Sequence, residues 1–143
     1  MKIVLDTNVI VSAIQTGNQI SRQILRLALS EQVTPLLSNA LFLEYEAITQ
    51  RQEVMENCHF TTVEAEQFLD ALFSVSTWIE IYYTWRPNLP DEGDNFLIEL
   101  AVAGGANCII SKNGKDLKYG ELLFPQLKIY RPNEFMNVWS EHR

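Results

Sequence analysis

The sequence predicts an α/β fold built on a parallel β-sheet. Short apolar segments with strand character alternate along the chain with longer segments whose apolar residues recur at helical spacing. This alternation is typical of parallel strands joined by right-handed helical crossovers, with helices on both faces of the sheet. The 143 residues contain no linker, repeat or low-complexity segment, so we expect one domain over residues 1–143.

The first elements are two strands and a helix. Lys2–Leu5 is an apolar run that ends on the polar tripeptide Asp6-Thr7-Asn8, as expected of a buried parallel strand. The stretch from there to Gln19 contains a Gly-Asn pair and is predicted to be a loop. Apolar residues at helical spacing predict an amphipathic helix from Ile20 to Glu31, and Val33–Leu37 is the second strand.

Two further helices begin with capping signals. Ser38 is a good N-cap for a helix that runs to about Arg51. Thr61 and Glu64 have the spacing of a capping box, which predicts a helix to about Val75.

The last part of the chain continues the alternation. Thr77–Tyr82 is the third predicted strand, and Arg86–Gly93 is a loop with two prolines. Asp94 opens a helix that stops at Gly104-Gly105, and Asn107–Ile110 is the fourth strand. After a loop over Ser111–Gln126 come a fifth strand at Lys128–Arg131 and a last helix from Pro132, packed by Phe135, Met136 and Trp139.

The composition argues against several classes of function. A net charge of −7 disfavours a protein that grips nucleic acid through a basic surface, although acids that hold metal ions contribute to the same count. The chain has no apolar run of about 18 residues and starts with a strand instead of a signal peptide, so we expect a cytoplasmic protein without membrane contact. Cys58 and Cys108 lack a metal-binding or redox spacing and are predicted to be reduced thiols.

Four acids are candidates for a common site, and each also has an ordinary explanation. Asp6 ends the first strand, where ligands bind in open α/β sheets, but Asp6 and Asn8 also suit a local turn. Glu44 borders the apolar stripe that Leu41, Tyr45 and Ile48 make on its helix, where a carboxylate is costly without a partner. The alternative is an ordinary glutamate at the edge of the helix. Asp94 lies at the N-terminal end of the buried face of its helix, but an aspartate at this position is equally expected as a helix cap.

The fourth acid, Asp116, follows the fourth strand. We expect that strand to neighbour the first where the sheet order reverses, which brings Asp116 and Asp6 to one crevice. The alternative is a plain loop acid. Three lysines flank the same loop and are candidates for contacts to backbone phosphates: Lys112, Lys115 and Lys118.

Together these motifs resemble the PIN domain family from end to end of the chain. Asp-Thr-Asn alone is a weak signal, whereas four elements in the family's order over a chain of this length are a strong one. The likeness extends to the bacterial group of VapC-type toxins. The motifs are Asp6-Thr7-Asn8, a helical Glu44, Asp94-x-x-Leu97-x-x-x-Ala101, and Ser111-x-Asn113-x-x-Asp116 after a strand.

The resemblance implies a sheet order of 3-2-1-4-5 and metal-dependent hydrolysis of single-stranded RNA. Hard oxygen ligands suit Mg²⁺ or Mn²⁺, and no histidine is required as a general base. By position, the direct or water-mediated metal ligands are Asp6, Glu44, Asp94 and Asp116, and the residues around them are Asn8, Ser111 and Asn113. Asn113 stands where many members have an acid and offers an oxygen without a charge. Family analogy adds a homodimer and a cognate DNA-binding antitoxin as partner.

Other readings of the sequence fit less well. A haloacid-dehalogenase-type phosphatase requires an acid at the position of Asn8, and a receiver-type regulator requires an early acidic pair and a phosphorylated aspartate at strand three. A PIN-fold module that binds its partner without catalysis is the alternative from a different class of function. It is suggested by Asn113, which replaces one of the family's acids.

Overall fold

The protein forms one parallel five-stranded sheet. A computed structural model describes residues 1–15, 19–81, 95–117 and 124–141, without the side chains of Asn95, Lys115 and Asp116. The strand order is β3-β2-β1-β4-β5, which confirms the predicted α/β class and the order 3-2-1-4-5. The strands are β1 (Lys2–Leu5), β2 (Thr34–Leu37), β3 (Thr77–Trp78), β4 (Cys108–Ile110) and β5 (Lys128–Tyr130).

Helices connect the strands. None of those in the described ranges combines the length and hydrophobicity needed to cross a bilayer. The α-helices are α1 (Thr7–Ile14), α2 (Gln19–Leu29), α3 (Asn39–Ala47), α4 (Gln52–Met55), α5 (Thr62–Val75), α6 (Asn95–Gly104) and α7 (Pro132–Glu141). Short 3₁₀ turns follow at Ile48–Gln50 and Gly114–Leu117.

The central strand β1 is covered on both faces. Ile3, Val4 and Leu5 are consecutive residues, and all three have no exposed surface. Because successive side chains of a strand point to opposite faces, apolar groups must lie on both sides of the sheet at this point. β1 pairs in parallel with β4, with Leu5 opposite Ile110, so the residues that follow these two strands emerge side by side.

Three local signals in the sequence have the expected outcome. The Ser38 hydroxyl accepts a hydrogen bond from the backbone of Leu41 and caps α3. Thr61 and Glu64 make the reciprocal bonds of a capping box at the start of α5. Gly105, with a φ of +67°, ends α6 in the left-handed region that favours glycine.

The prediction of a loop after Asn8 is wrong as far as Ile14, because α1 occupies Thr7–Ile14, and the Gly17-Asn18 pair lies outside the described residues. The helix was missed for a physical reason. Six of its eight residues are buried, so it lacks the polar face that makes an amphipathic helix recognisable. Its run of β-branched residues, Val9-Ile10-Val11, also weakens the signal.

Smaller differences concern the ends of elements. β3 stops at Trp78, short of the predicted Tyr82, because it pairs only with β2, which ends at Leu37. The helix predicted to reach Arg51 ends at Ala47 and continues as a 3₁₀ turn, and α4 was not predicted. A 3₁₀ turn also interrupts the loop predicted over 111–126. Tyr82 and the predicted loop at 86–93 lie outside the described residues.

Candidate active site

The sheet places Asp6 and Ser111 next to each other at its carboxyl edge. Asp6 follows β1 at the N-cap position of α1, and its backbone amide donates to the carbonyl of Ile110 over 3.0 Å. Ser111 follows β4, and its amide donates to the carbonyl of Tyr130 over 2.9 Å. Both residues therefore continue the strand ladder by one step, which fixes their backbones before any side chain contributes.

A hydrogen-bond network joins the side chains at this edge. The Ser111 hydroxyl donates to Asp6 Oδ2 over 2.7 Å, and Asn8 Nδ2 donates to the same oxygen over 3.3 Å. Asn8 Oδ1 accepts from the amide of Lys112 over 3.1 Å, and Ser111 Oγ accepts from the amide of Asn113 over 3.1 Å. The loop after β4 is thus tied to the first turn of α1, and one oxygen of Asp6 is held in place.

The Asp6 carboxyl sits in an environment that disfavours its charge. Burial raises its pKa above the ordinary value of 3.8, and the negative charge of Glu44 adds a smaller increase. The hydrogen bond from Ser111 and the backbone amides of Thr7 and Asn8 act in the opposite direction. Burial is the larger influence, so the net result is a raised pKa. An acid that is both partly buried and repelled by a second acid is well suited to a cation.

This raised pKa gives a pH-dependent prediction for Asp6→Asn. The folded state holds the Asp6 proton at a pH where the unfolded state has lost it, so the parent loses stability as pH rises from about 3.8 through the raised folded pKa. The asparagine variant cannot lose a proton there. Its melting temperature relative to the parent, measured in EDTA from pH 3 to 7, should therefore increase with pH. Asp70→Asn on the exposed side of α5 controls for the removal of one charge. A difference between Asp6→Asn and the parent that stays constant with pH would contradict the assignment.

Glu44 approaches the same region from α3. Leu41, Tyr45 and Ile48 are buried, as the predicted apolar stripe requires, and Glu44 lies at its border. The Glu44 carboxylate makes an ion pair of 3.3 Å with Arg51, and both side chains are 41% exposed. A pair this exposed contributes only about 0–1 kcal/mol, so it leaves Glu44 free to accept another cation.

Tyr45 connects α3 to the end of β1. Its buried hydroxyl donates to the carbonyl of Leu5, the residue directly before Asp6. Burial, with a further contribution from the Asp6 charge, raises the Tyr45 pKa well above its ordinary value, so the hydroxyl keeps its proton and remains a donor. Tyr45 therefore anchors the helix that carries Glu44 to the strand that carries Asp6.

The other two predicted acids are less fully described. Asp94 lies outside the described residues, directly before α6. Two residues of its predicted motif, Leu97 and Ala101, are buried on α6 as expected. Asp116 belongs to the 3₁₀ turn after β4, but its side chain is not among those described. The structure thus brings Asp6, Asn8, Ser111 and the Asn113 backbone together, with Glu44 close enough to raise the Asp6 pKa.

The described donors have the chemistry that Mg²⁺ or Mn²⁺ needs. Asp6 and Glu44 supply hard carboxylate oxygens, and the side chains of Ser111 and Asn8 bind Oδ2 of Asp6. Among the described side chains, no three His, Cys, Asp or Glu residues form a group that could hold a metal ion. A complete ligand set therefore requires acids beyond this pair.

Sequence reasoning missed three side chains around the site. Tyr45 is predicted only as part of the apolar stripe of α3, whereas its hydroxyl also bonds to β1. Arg51 is predicted only as a helix end, whereas it follows the 3₁₀ turn after α3 and pairs with Glu44, seven residues before it. Ser12 fell in the predicted loop, so its contact with the Lys112 ammonium had no signal in the sequence.

Comparisons with known proteins agree with this architecture. A family model described as PIN domain matches residues 2–115. No curated protein matches the chain. A solved structure, VapBC2 from Rickettsia felis bound to a DNA fragment from the promoter, is similar with a TM-score of 0.61 and 19% identity, over 92% of this chain and 98% of that one. Since the family model spans most of the chain, including β1, α3 and the Ser111–Lys115 segment, this protein belongs to the PIN domain family.

Proposed function

We propose that this protein is a metal-dependent endoribonuclease that hydrolyses phosphodiester bonds of single-stranded RNA. The observation that carries the proposal is the partly buried Asp6 carboxylate, held by Ser111 and Asn8 at the carboxyl edge of the sheet and electrostatically coupled to Glu44. Such an arrangement supports a site for Mg²⁺ or Mn²⁺, together with Asp94 inside the matched range and Asp116 one residue beyond it.

The residues divide the work in a defined way. Asp6, Glu44, Asp94 and Asp116 are the metal ligands, direct or through water. Ser111 and Asn8 hold the Asp6 carboxylate in one orientation, and Tyr45 keeps α3 against β1. A bound divalent ion supplies a Lewis acid for the phosphoryl oxygen and a water of lowered pKa. The chain's own contribution is to fix the position and orientation of these ligands.

We further propose that the chain is the toxin of a toxin–antitoxin pair, acting in the cytoplasm as a homodimer. Support comes from the likeness in fold to VapBC2, together with the VapC-type order of motifs. On this proposal the cognate partner is a DNA-binding antitoxin. The simplest check is whether a small neighbouring reading frame encodes a protein that co-purifies with this chain.

The direct test is cleavage of a labelled single-stranded RNA by the purified protein. Cleavage should require Mg²⁺ or Mn²⁺ and stop in EDTA. Because water and not the ribose 2′-hydroxyl is the nucleophile, the products should carry no 2′,3′-cyclic phosphate, which separates this activity from metal-independent ribonuclease contamination. Equal cleavage with and without metal would overturn the proposal.

A second candidate function is a PIN-fold binding module without catalysis. Asn113 favours it, because this position lacks the charge that a carboxylate would give to a metal ligand. The same assay separates the two functions, since a binding module retains RNA or protein affinity but shows no metal-dependent cleavage.

A further inference from the structure

One lysine beside the candidate site is held in an unusual way. The Lys112 ammonium donates to the hydroxyl of Ser12 over 2.8 Å, and the Lys112 backbone amide donates to Asn8. Ser12 is only 5% exposed, whereas Lys112 is an exposed residue. The lysine is thus fixed at both ends, by its backbone and by its terminal nitrogen, while its side chain stays accessible to solvent.

The two anchor points are on one face of α1. Asn8 and Ser12 are four residues apart, so their side chains are neighbours about one helical turn, roughly 5.4 Å, apart along the axis. Asn8 is also the residue that donates to Asp6. The ammonium therefore lies one helical turn further along α1 than the amide that contacts the central carboxylate.

Among the described residues, no carboxylate neutralises the charge of Lys112. Its ammonium is bonded to a neutral hydroxyl, and it forms no ion pair with any acid among the described residues. Arg51, a second described cation near these acids, is paired with Glu44. In a chain with a net charge of −7, a fixed cation of this kind next to Asp6 is suited to an anion that approaches the acids.

We propose that Lys112, held by Ser12, binds a backbone phosphate of the RNA next to the one that is cleaved. This inference rests on the proposed function. The Ser12 hydroxyl keeps the ammonium close to its binding position, so less side-chain entropy is lost when the phosphate arrives. Lys112 is a substrate-binding residue. Its contact with the phosphate is equally strong in the enzyme–substrate complex and in the transition state.

The test is binding of a fluorescein-labelled single-stranded RNA to the full chain in EDTA, followed by anisotropy. Lys112→Met should weaken binding by roughly 5- to 10-fold at moderate salt, as expected for one charge-assisted contact. One lost phosphate contact should also reduce the slope of log K against log salt by about 0.7. Lys112→Arg should keep the slope. In Mg²⁺, Lys112→Met should raise KM and leave kcat nearly unchanged.

Two further variants isolate the role of Lys112. Lys128→Met removes an equally exposed lysine at the opposite edge of the sheet, where β5 begins, and should change neither affinity nor slope. Ser12→Ala removes the anchor but not the charge, so it should keep the slope and weaken binding by a smaller factor, about twofold.

The outcomes separate this inference from the proposed function. Weaker RNA binding and a smaller salt slope in Lys112→Met support the inference, even if the parent cleaves no RNA. In that case only the ribonuclease proposal fails. Equal slopes for Lys112→Met, Lys128→Met and the parent would overturn the inference, and so would a parent chain that does not bind the RNA at all. In those cases the bond to Ser12 only satisfies a buried hydroxyl.

Discussion

Replacing Asp6 by asparagine is expected to slow metal-dependent cleavage of single-stranded RNA by at least about 100-fold, the loss typical for one strong transition-state contact. The substitution keeps the shape of the side chain and leaves an amide oxygen able to accept from Ser111, so the network around Asn8 can persist. What disappears is the negative charge at the centre of the site. The expected loss is in kcat as well as in kcat/KM, because the cation that Asp6 would hold would be needed most when negative charge develops on the phosphoryl group.

The matched control is Asp70→Asn, the same substitution at an exposed position of α5. It should cleave like the parent. Rates are compared at saturating Mn²⁺, so that a weakened metal affinity does not mimic a lost catalytic charge, and melting curves establish that both variants fold. An Asp6→Asn protein as fast as the parent would assign the activity to another site or to a contaminant.

The fold could be predicted because local signals and the global pattern agree. Ser38, Thr61 and Gly105 each sit at a helix end where their side chain or backbone conformation is required, and the structure uses them there. Buried strands are recognisable because β1 and β4 are short, apolar and β-branched. The helix α1 was not predicted, because it is short and mostly buried, and an apolar run directly after β1 resembles a strand as much as a helix.

The candidate site was predictable only in part, for a different reason. Asp6, Asn8 and Ser111 follow strands that the sheet order makes adjacent, so their proximity follows from topology. The contacts of Tyr45 with Leu5 and of Lys112 with Ser12 span 40 and 100 residues and join a side chain to an element of another class. Such contacts depend on how helices pack on the sheet, and periodicity contains no information about that packing.

Glu44 gives the second large effect, on the stability that a metal ion confers. A divalent ion that binds only the folded state stabilises it by about 2.7 kcal/mol at a concentration 100-fold above Kd. For a domain of this size that corresponds to several degrees, at roughly 2–8 °C per kcal/mol. If Glu44 is a ligand, Glu44→Gln should lose most of the increase in melting temperature that millimolar Mn²⁺ produces in the parent.

Without metal, the same variant should change little. Glu44→Gln breaks an exposed ion pair with Arg51, which costs about 0–1 kcal/mol, and it also removes a charge that repels Asp6. These effects oppose each other, so melting in EDTA does not decide the role of Glu44. The Mn²⁺-induced shift does, because neither the ion pair nor helix packing gives the free energy of unfolding a dependence on divalent metal.

Glu46→Gln is the control, since Glu46 lies two residues further on α3 and is exposed. It removes the same charge from the same helix and should retain the full Mn²⁺ shift. Asp94→Asn, with Asp91→Asn as its control, extends the comparison to the acid before α6 and should show the same contrast. Metal stabilisation needs several carboxylates at once, so each ligand variant should lose most of the shift and not a proportional share. Equal Mn²⁺ shifts in the parent and in Glu44→Gln would remove Glu44 from the ligand set and leave it as the partner of Arg51 alone.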